Sequence, residues 1–398
     1  MRGMSDAMQG ASAGGETSVT FSRQLVRLLE ERGHDAMLVS SHPRADRLDL
    51  GRIVLVNEPR RHEAARGLGF YRSRIAYAQH LAKMAYRSGA ELAVIDSGTT
   101  CPFALRAFHR YGIKVAVNFH NVRWADGFAP TRPIGRLVRA LDSNFFRKQT
   151  VAAMGCSPAC ADQVRADGAS TLPYFGWTAQ YDSSGFPDPS VAFNQVVQPA
   201  KPLALLFVGR VEASKGVFDL ITVAKGLRDR GLGNSHITFC GDGSALEPLR
   251  AAIAASDVAD MMTVRGRLGR AELMAAYAAS DLVVVPTRAA FTEGMPLVCA
   301  EAMLAFRPVL TSRISNAVPV LGDAMMEAIP QDPASYVEQI ERFARDPAVR
   351  LRLRQATITA RAQFLDRNRS YAAAMDALIG HLTGQRQSDL DYAMLFTP

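Results

Sequence analysis

Two glutamates, Glu293 and Glu301, are separated by seven intervening residues in Thr292-Glu293-Gly294-Met295-Pro296-Leu297-Val298-Cys299-Ala300-Glu301. Their flanks give the pair meaning. The apolar run from Asp281 to Pro286 reads as a buried strand. Gly294 and Pro296 then break the chain, and Leu297 to Ala305 resumes as a helix, with Pro296 near its first turn, where proline is tolerated. Glu293 is therefore expected in a loop at a strand's carboxyl end, and Glu301 on the helix that follows. That crevice is where open parallel sheets take ligands, and the free N–H groups of a helix start favour an anion. Two carboxylates beside a phosphate-attracting helix end suit a sugar nucleotide.

A second cluster precedes it. Val208-Gly209-Arg210-Val211-Glu212-Ala213-Ser214-Lys215-Gly216 follows an apolar strand and opens a helix. Its glycines admit close backbone approach, and Arg210 and Lys215 can aim two cations at one diphosphate. A turn with solvated charges is the alternative. His120 closes the strand Val115 to Phe119, a position that suits a polar group touching substrate, although a lone histidine is more often structural. Gly241 in Gly241-Asp242-Gly243, and Arg267 in Arg265-Gly266-Arg267, end two further strands and could line a nucleobase pocket; ordinary strand-to-helix turns look the same. Gly14-Gly15 precedes the first clear helix, where glycines admit a phosphate, or belong to a loose terminus.

The elements that must position these groups alternate. Thr20 to Arg32 is an amphipathic helix with Phe21, Leu25, Leu28 and Leu29 on one side, stopped by Gly33. Ala36 to Ser40, Ile53 to Val56, Leu92 to Asp96, Val115 to Phe119 and Ala152 to Cys156 are short apolar runs, with a helix over Arg72 to Ser88. A proline-bearing stretch over residues 186–202 reads as a linker. Leu203 to Val208, Ile237 to Cys240, Met262 to Val264, Leu282 to Val285 and Val309 to Thr311 are strand candidates, with helices over Val217 to Asp229 and Ala271 to Ala279. Three closing helices cover Ser335 to Arg345, Pro347 to Phe364 and Tyr371 to Leu382. Strands alternating with helices indicate parallel α/β architecture. Two such halves, residues 1–185 and 203–365, suggest a cleft between them. A helix over 366–385 is expected to pack back on the first half, ahead of a tail over 386–398.

The 398 residues suffice for two cores. A net charge of +8 favours an anionic partner, and without a basic tail or aromatic-interleaved basic motif nucleic acid is not expected. Five scattered cysteines do not make a disulfide framework and point to a reducing, cytoplasmic setting. Cys156 and Cys160 read as packing rather than a metal pair. No apolar run reaches the ~18 residues of a membrane span. Arg60, Arg61, Arg66, Arg72, Arg74, Lys83 and Arg87, with Phe70, Tyr71 and Ile75 among them, fit either a face for an anionic membrane or acceptor, or a solvated helix. Asp389 and Asp391 lie in the tail and are not expected to bind metal.

Taken in order, Gly14-Gly15, Arg32-Gly33-His34, His120, Gly209-Arg210 with Ser214-Lys215-Gly216, Gly241-Asp242-Gly243, Ala279-Ser280-Asp281 with Val285-Pro286, and Glu293 to Glu301 resemble the family 4 retaining glycosyltransferases of GT-B fold. The likeness is specific from Leu203 to Arg345 and looser before it. It implies two Rossmann-like domains facing across a cleft, a nucleotide-sugar donor, a glycan or lipid-linked acceptor, and no cofactor or bound metal. It further implies that Arg210 and Lys215 neutralise the departing diphosphate, that Glu293 meets sugar hydroxyls, and that Gly294 and Met295 offer backbone N–H groups. Glu301 would hold the ribose, Gly15 would approach the distal phosphate, and His120 would sit by the sugar from the opposite domain. One departure stands out. The family begins with a short apolar strand before the Gly-Gly loop, and Met1 to Ala13 contains no such run, so the first sheet is expected to lack its central strand.

The expectation is a cytoplasmic enzyme, peripheral at the membrane, that moves a sugar with retention in polysaccharide or glycolipid assembly. A sugar-nucleotide epimerase and a non-catalytic partner protein on the same scaffold are the alternatives.

Overall fold

The computed structural model describes residues 21–41, 45–59, 66–188, 202–384 and 392. The first part runs α1 (Phe21–Glu31), β1 (Ala36–Ser40), β2 (Asp46–Asp49), β3 (Ile53–Asn57), α2 (Leu68–Arg87), β4 (Leu92–Asp96), a 3-10 helix (Pro102–Tyr111), β5 (Lys114–Phe119), α3 (Pro133–Lys148), β6 (Ala152–Gly155), α4 (Pro158–Ala166) and β7 (Tyr174–Gly176). The second runs β8 (Ala204–Val208), a 3-10 turn (Ala213–Lys215), α5 (Asp219–Asp229), β9 (His236–Cys240), α6 (Leu246–Ala254), β10 (Met262–Gly266), α7 (Arg270–Ala279), β11 (Leu282–Val285), α8 (Leu297–Leu304), β12 (Val309–Thr311), α9 (Val318–Leu321) and β13 (Met325–Glu327). The helices α10 (Pro333–Arg345), α11 (Pro347–Ala362) and α12 (Tyr371–Thr383) follow.

β8 to β13 form one parallel sheet of order β10-β9-β8-β11-β12-β13. After β8 the chain winds outward to β9 and β10, then returns to lay β11 on the other side of β8, with Leu205 opposite Leu282. The strand order thus reverses between β8 and β11, and the crevice of such a sheet opens at the carboxyl ends of those two strands. Burial on both faces explains the unbroken apolar sequence of β11, whose four residues are all buried.

The first part is built differently. β4-β5-β6-β7 is a parallel sheet, and β1-β3-β2 is a separate sheet in which β2 runs antiparallel to β3. Among the described residues no strand joins β1 to β4. The expected absence of a first strand concerns residues 1–13, which lie outside the described residues. Residues 1–20, with Gly14 and Gly15, lie outside the described residues, as do Arg60, Arg61, most of the linker, Asp389 and Asp391.

One apolar cluster nevertheless spans both sheets: Leu25, Leu28 and Leu29 of α1 pack with Ile53 and Leu55 of β3, Ala116, Met154 and Trp177, and with Tyr371, Ala372 and Met375 of α12. α12 therefore returns to cover the first part. Ser370 caps its start, the hydroxyl accepting from Ala373 N at 3.0 Å. Arg32 then clamps it with Nε 2.8 Å from Asp376 Oδ1 and a second nitrogen on Oδ2, so Arg32 of the motif Arg32-Gly33-His34 is a fastener between the chain's two ends. Among the described residues no helix is long and apolar enough to cross a membrane.

Candidate functional site

The loops that leave β8 and β11 meet above the crevice. Ser214 O accepts from Arg288 N at 2.9 Å, which stitches the two loops together. Arg288 also forks onto both oxygens of Asp219 at 2.6 and 2.8 Å, fixing the loop to the start of α5. Within this frame Lys215 Nζ lies 2.5 Å from Glu293 Oε2, and Thr287 Oγ1 is 3.3 Å from the same oxygen. Both side chains are largely buried, so this is a desolvated charge pair at the mouth of the sheet.

Arg210 does not join that pair. It is 58% exposed and binds Glu212 at 2.9 Å. Phe291 relates it to Lys215: the Lys215 ammonium lies 3.8 Å and the Arg210 guanidinium carbon 5.1 Å from the centre of that ring. An aromatic quadrupole lets two like charges share one neighbourhood.

Glu301 occupies its own niche on α8. The buried Tyr277 hydroxyl donates to its Oε2 at 3.0 Å, and Arg270 Nη1 is 3.9 Å from Oε1. Arg270 in turn lies 4.5 Å over Phe186. Burial first, and then the Glu301 charge, raise the Tyr277 phenol well above its usual value, so it stays a neutral donor. The two glutamates are thus held by different partners, as their positions in a loop and on a helix anticipate.

Gly294 is glycine for a reason the sequence did not suggest. A Cβ there would come within 1.9 Å of His120 O and 2.6 Å of Cys156 Sγ. Glu293 O accepts from Asn316 Nδ2 at 2.5 Å and faces Val122 N at 3.5 Å. The Glu293-Gly294 backbone is therefore pressed onto the strand end that carries His120, and the two domains touch at this seam. Met295 packs into the core beneath α8. Gly241 is likewise a packing position: a Cβ would lie 1.8 Å from Gly209 O, so the ends of β8 and β9 close together only without a side chain. Arg267 is exposed beyond β10.

His120 sits in an aromatic box. Phe21, Trp177 and Tyr371 surround it at ring-centre distances of 6.0, 5.2 and 6.4 Å. Its Nε2 lies 3.2 Å from Asp96 Oδ1 and 3.0 Å from Asn118 Nδ2. The fully buried Asn118 is the hub: its amide nitrogen donates to Asp96 at 2.8 Å and its oxygen accepts from the Trp177 indole at 2.9 Å. Burial alone would raise the Asp96 carboxyl; the charge and hydrogen bond of His120, with the Asn118 amide, outweigh it and hold Asp96 below the ordinary range.

Sequence reasoning missed Phe291, Thr287, Tyr277, Arg270, Asn118, Asp96 and the aromatic box. Aromatics at apolar positions read as core, and only Asp96, a carboxylate ending an apolar strand, carried a usable signal.

Residues 191–360 match the family model described as Glycosyl transferases group 1. A D-inositol 3-phosphate glycosyltransferase of Pseudarthrobacter chlorophenolicus is 30% identical over 45% of this chain and 44% of its own length. The chain spans less than half the length of the curated relatives it matches. Over whole chains, the fold matches sucrose-phosphate synthase of Thermosynechococcus elongatus at a TM-score of 0.70 and 16% identity, covering 92% of this chain and 93% of that one. Anabaena HepE, solved with UDP-glucose, matches at a TM-score of 0.54 and 16% identity, covering 78% and 82%. The chain thus has the GT-B fold, and its residues 191–360 match the group 1 glycosyl transferases.

Proposed function

We propose that this protein transfers a sugar, a hexose in the simplest case, from a nucleoside-diphosphate sugar to an acceptor hydroxyl with retention of anomeric configuration. The observation that carries the reading is the buried Lys215–Glu293 pair, set where the strand order reverses. A diphosphate placed there meets Lys215 and Arg210, which neutralise it as it leaves; these two cations, not a metal ion, do that work in our reading. The complexes of Anabaena HepE with UDP and UDP-glucose support a nucleotide-sugar donor.

The remaining roles are those the family resemblance implies. Glu293 offers an oxygen to donor-sugar hydroxyls while Lys215 and Thr287 hold its carboxylate still. Glu301, fixed by Tyr277, takes the ribose hydroxyls. Gly294 and Met295 supply backbone N–H groups. His120, steadied by Asp96 and Asn118, faces the sugar from the first domain. In the step itself the bond from the anomeric carbon to the phosphate oxygen breaks as the acceptor oxygen bonds on the same face. The acceptor proton passes to the departing phosphate oxygen. A covalent sugar on Glu293 is the less favoured route, because double displacement needs a second carboxylate at the anomeric carbon and Glu301 is read as holding the ribose.

The acceptor is a glycan or a lipid-linked glycan, in cell-surface polysaccharide or glycolipid assembly at the cytoplasmic side of a membrane. The test is donor consumption across a panel of nucleotide sugars, with and without acceptor, for the wild type, Glu293→Ala and Lys215→Ala. Acceptor-dependent turnover that both substitutions abolish is expected. Unchanged turnover in both variants refutes the site, and conversion of donor without acceptor shows an epimerase instead.

A further inference from the structure

The positive charge of the chain is concentrated. Residues 66–150 hold fourteen Lys and Arg against four Asp and Glu, an excess larger than the +8 of the whole chain. Three helical segments carry most of it, α2, the 3-10 helix and α3, and they pack side by side on the first domain. Several of the acids are spent internally. Asp142 is buried under Arg123 at 3.0 Å, Asp96 faces His120, and Asp126 lies 3.4 Å from Arg313.

α3 is the unusual member. Its inner side holds Val138, Asp142, Phe145 and Phe146. Its outer side carries two parallel stripes at helical spacing. One is apolar: Ile134, Leu137 and Leu141 are 56, 60 and 39% exposed, and Phe128, just ahead of the helix, is 44% exposed. The other holds Arg136, Ser143 and Arg147, which with Gly168 line a cavity of about 480 Å³. Arg139 stiffens its floor by bonding Asp167 at 2.8 Å. Scattered exposed apolar residues need no explanation, but a contiguous set on one helix beside cations marks an interaction surface. On α2, by contrast, Tyr71 and Ile75 turn inward and Arg74 covers Phe70 at 4.9 Å. Leu68 and Tyr86, 70 and 59% exposed, stand at opposite ends of α2 and form no stripe, so the contiguous apolar element of a docking face is on α3.

We propose that the outer face of α3, with Phe128, docks the protein on an anionic phospholipid surface. Ile134, Leu137 and Leu141 enter the acyl boundary, and Arg136 and Arg147 take headgroup phosphates in the adjoining groove. Charge complementarity selects this occupant: a second copy would set one basic face against another. The position is apt if the protein transfers sugar to a lipid-linked acceptor, and in that respect the inference rests on the proposed function. From His120 the chain passes Val122, beside Glu293, and Asp126, beside Arg313, and then reaches Phe128 and α3. The docking face thus begins six residues along the chain from the contact between Val122 and Glu293.

The test is co-sedimentation of the full chain with vesicles of mixed phosphatidylglycerol and phosphatidylcholine, against pure phosphatidylcholine. The wild type is expected to bind the anionic vesicles only. Ile134→Glu/Leu137→Glu and, separately, Arg136→Glu/Arg147→Glu are each expected to weaken binding by about tenfold or more, with unchanged melting temperature and unchanged donor turnover in the absence of vesicles. Absence of wild-type binding overturns the proposal. So does full binding by the Ile134→Glu/Leu137→Glu variant, or a wild-type dimer that this variant dissolves. Donor turnover without vesicle binding sinks this inference alone, and vesicle binding without turnover sinks the transfer reading alone.

Discussion

Lys215 and Glu293, 78 residues apart in sequence, meet at 2.5 Å where the loops after β8 and β11 converge. The contact exists because those strands are neighbours in the sheet, and it joins the two features that seemed most chemical in the sequence. Lys215→Ala leaves a buried carboxylate without its cation. Breaking such a pair costs about 3–5 kcal/mol, and losing one charge-stabilising donor lowers kcat by about 10²–10³. Adding Glu293→Gln should restore much of the melting temperature and none of the activity. Thermal melts of the two single variants and the double, beside donor turnover, check both halves of that expectation.

Phe291 is expected to matter although it bears no charge. With Phe291→Leu the two cations lose a shared ring, at about 0.5–1 kcal/mol each. The donor KM should rise several-fold while the melting temperature moves little. Phe291→Tyr keeps the ring and should behave as wild type. Steady-state kinetics of the two variants decide it; equal KM values in both would remove Phe291 from the site.

Gly294→Ala tests the seam between the domains. The added methyl meets His120 O and Cys156 Sγ, and forced overpacking of this kind costs about 1–3 kcal/mol. Activity should fall more than stability, because the displaced backbone carries Glu293. Cys156→Ala relieves part of the crowding, so the double variant should recover turnover relative to Gly294→Ala. Activity and melting temperature of both variants, measured together, check this.

Asp96 predicts an acid limit. Its folded-state carboxyl is held below the ordinary value by His120 and Asn118, against burial. A depressed carboxylate adds stability that is complete above its unfolded value, near pH 4, and fades as pH falls through the folded one. Melting temperature should therefore drop below about pH 4 in the wild type. Asp96→Asn should be less stable at neutral pH and show a shallower acid decline. Melts across that range are the measurement, and parallel curves for the two proteins would exclude Asp96 as the cause.

The parts legible in the sequence were those whose pattern had one cause. β11 is buried on both faces, so its apolar run matches the strand to the residue. α10 and α11 begin at Asp-Pro pairs whose aspartates accept from the first free N–H groups. α3 was not legible, because apolar residues face outward from it and a paired Asp142 faces inward, which scrambles the usual periodicity. β2 is a charged edge strand and β7 has three residues, too few to show alternation. Within the site, charge and glycine spacing located the cations and acids. The supporting shell of Phe291, Tyr277 and Trp177 was hidden because an aromatic side chain looks the same in sequence whether it fills a core or steadies a catalytic neighbour.

The bare position at Gly294 also bears on how such a molecule could be recombined. With a carbonyl and a thiol from the other half packed where a side chain would go, the halves are not independent cassettes. A chimera that imports a foreign first half must bring along a strand end shaped like Asn118 to His120 and a residue no larger than Cys156, or the loop that carries Glu293 will be held out of line.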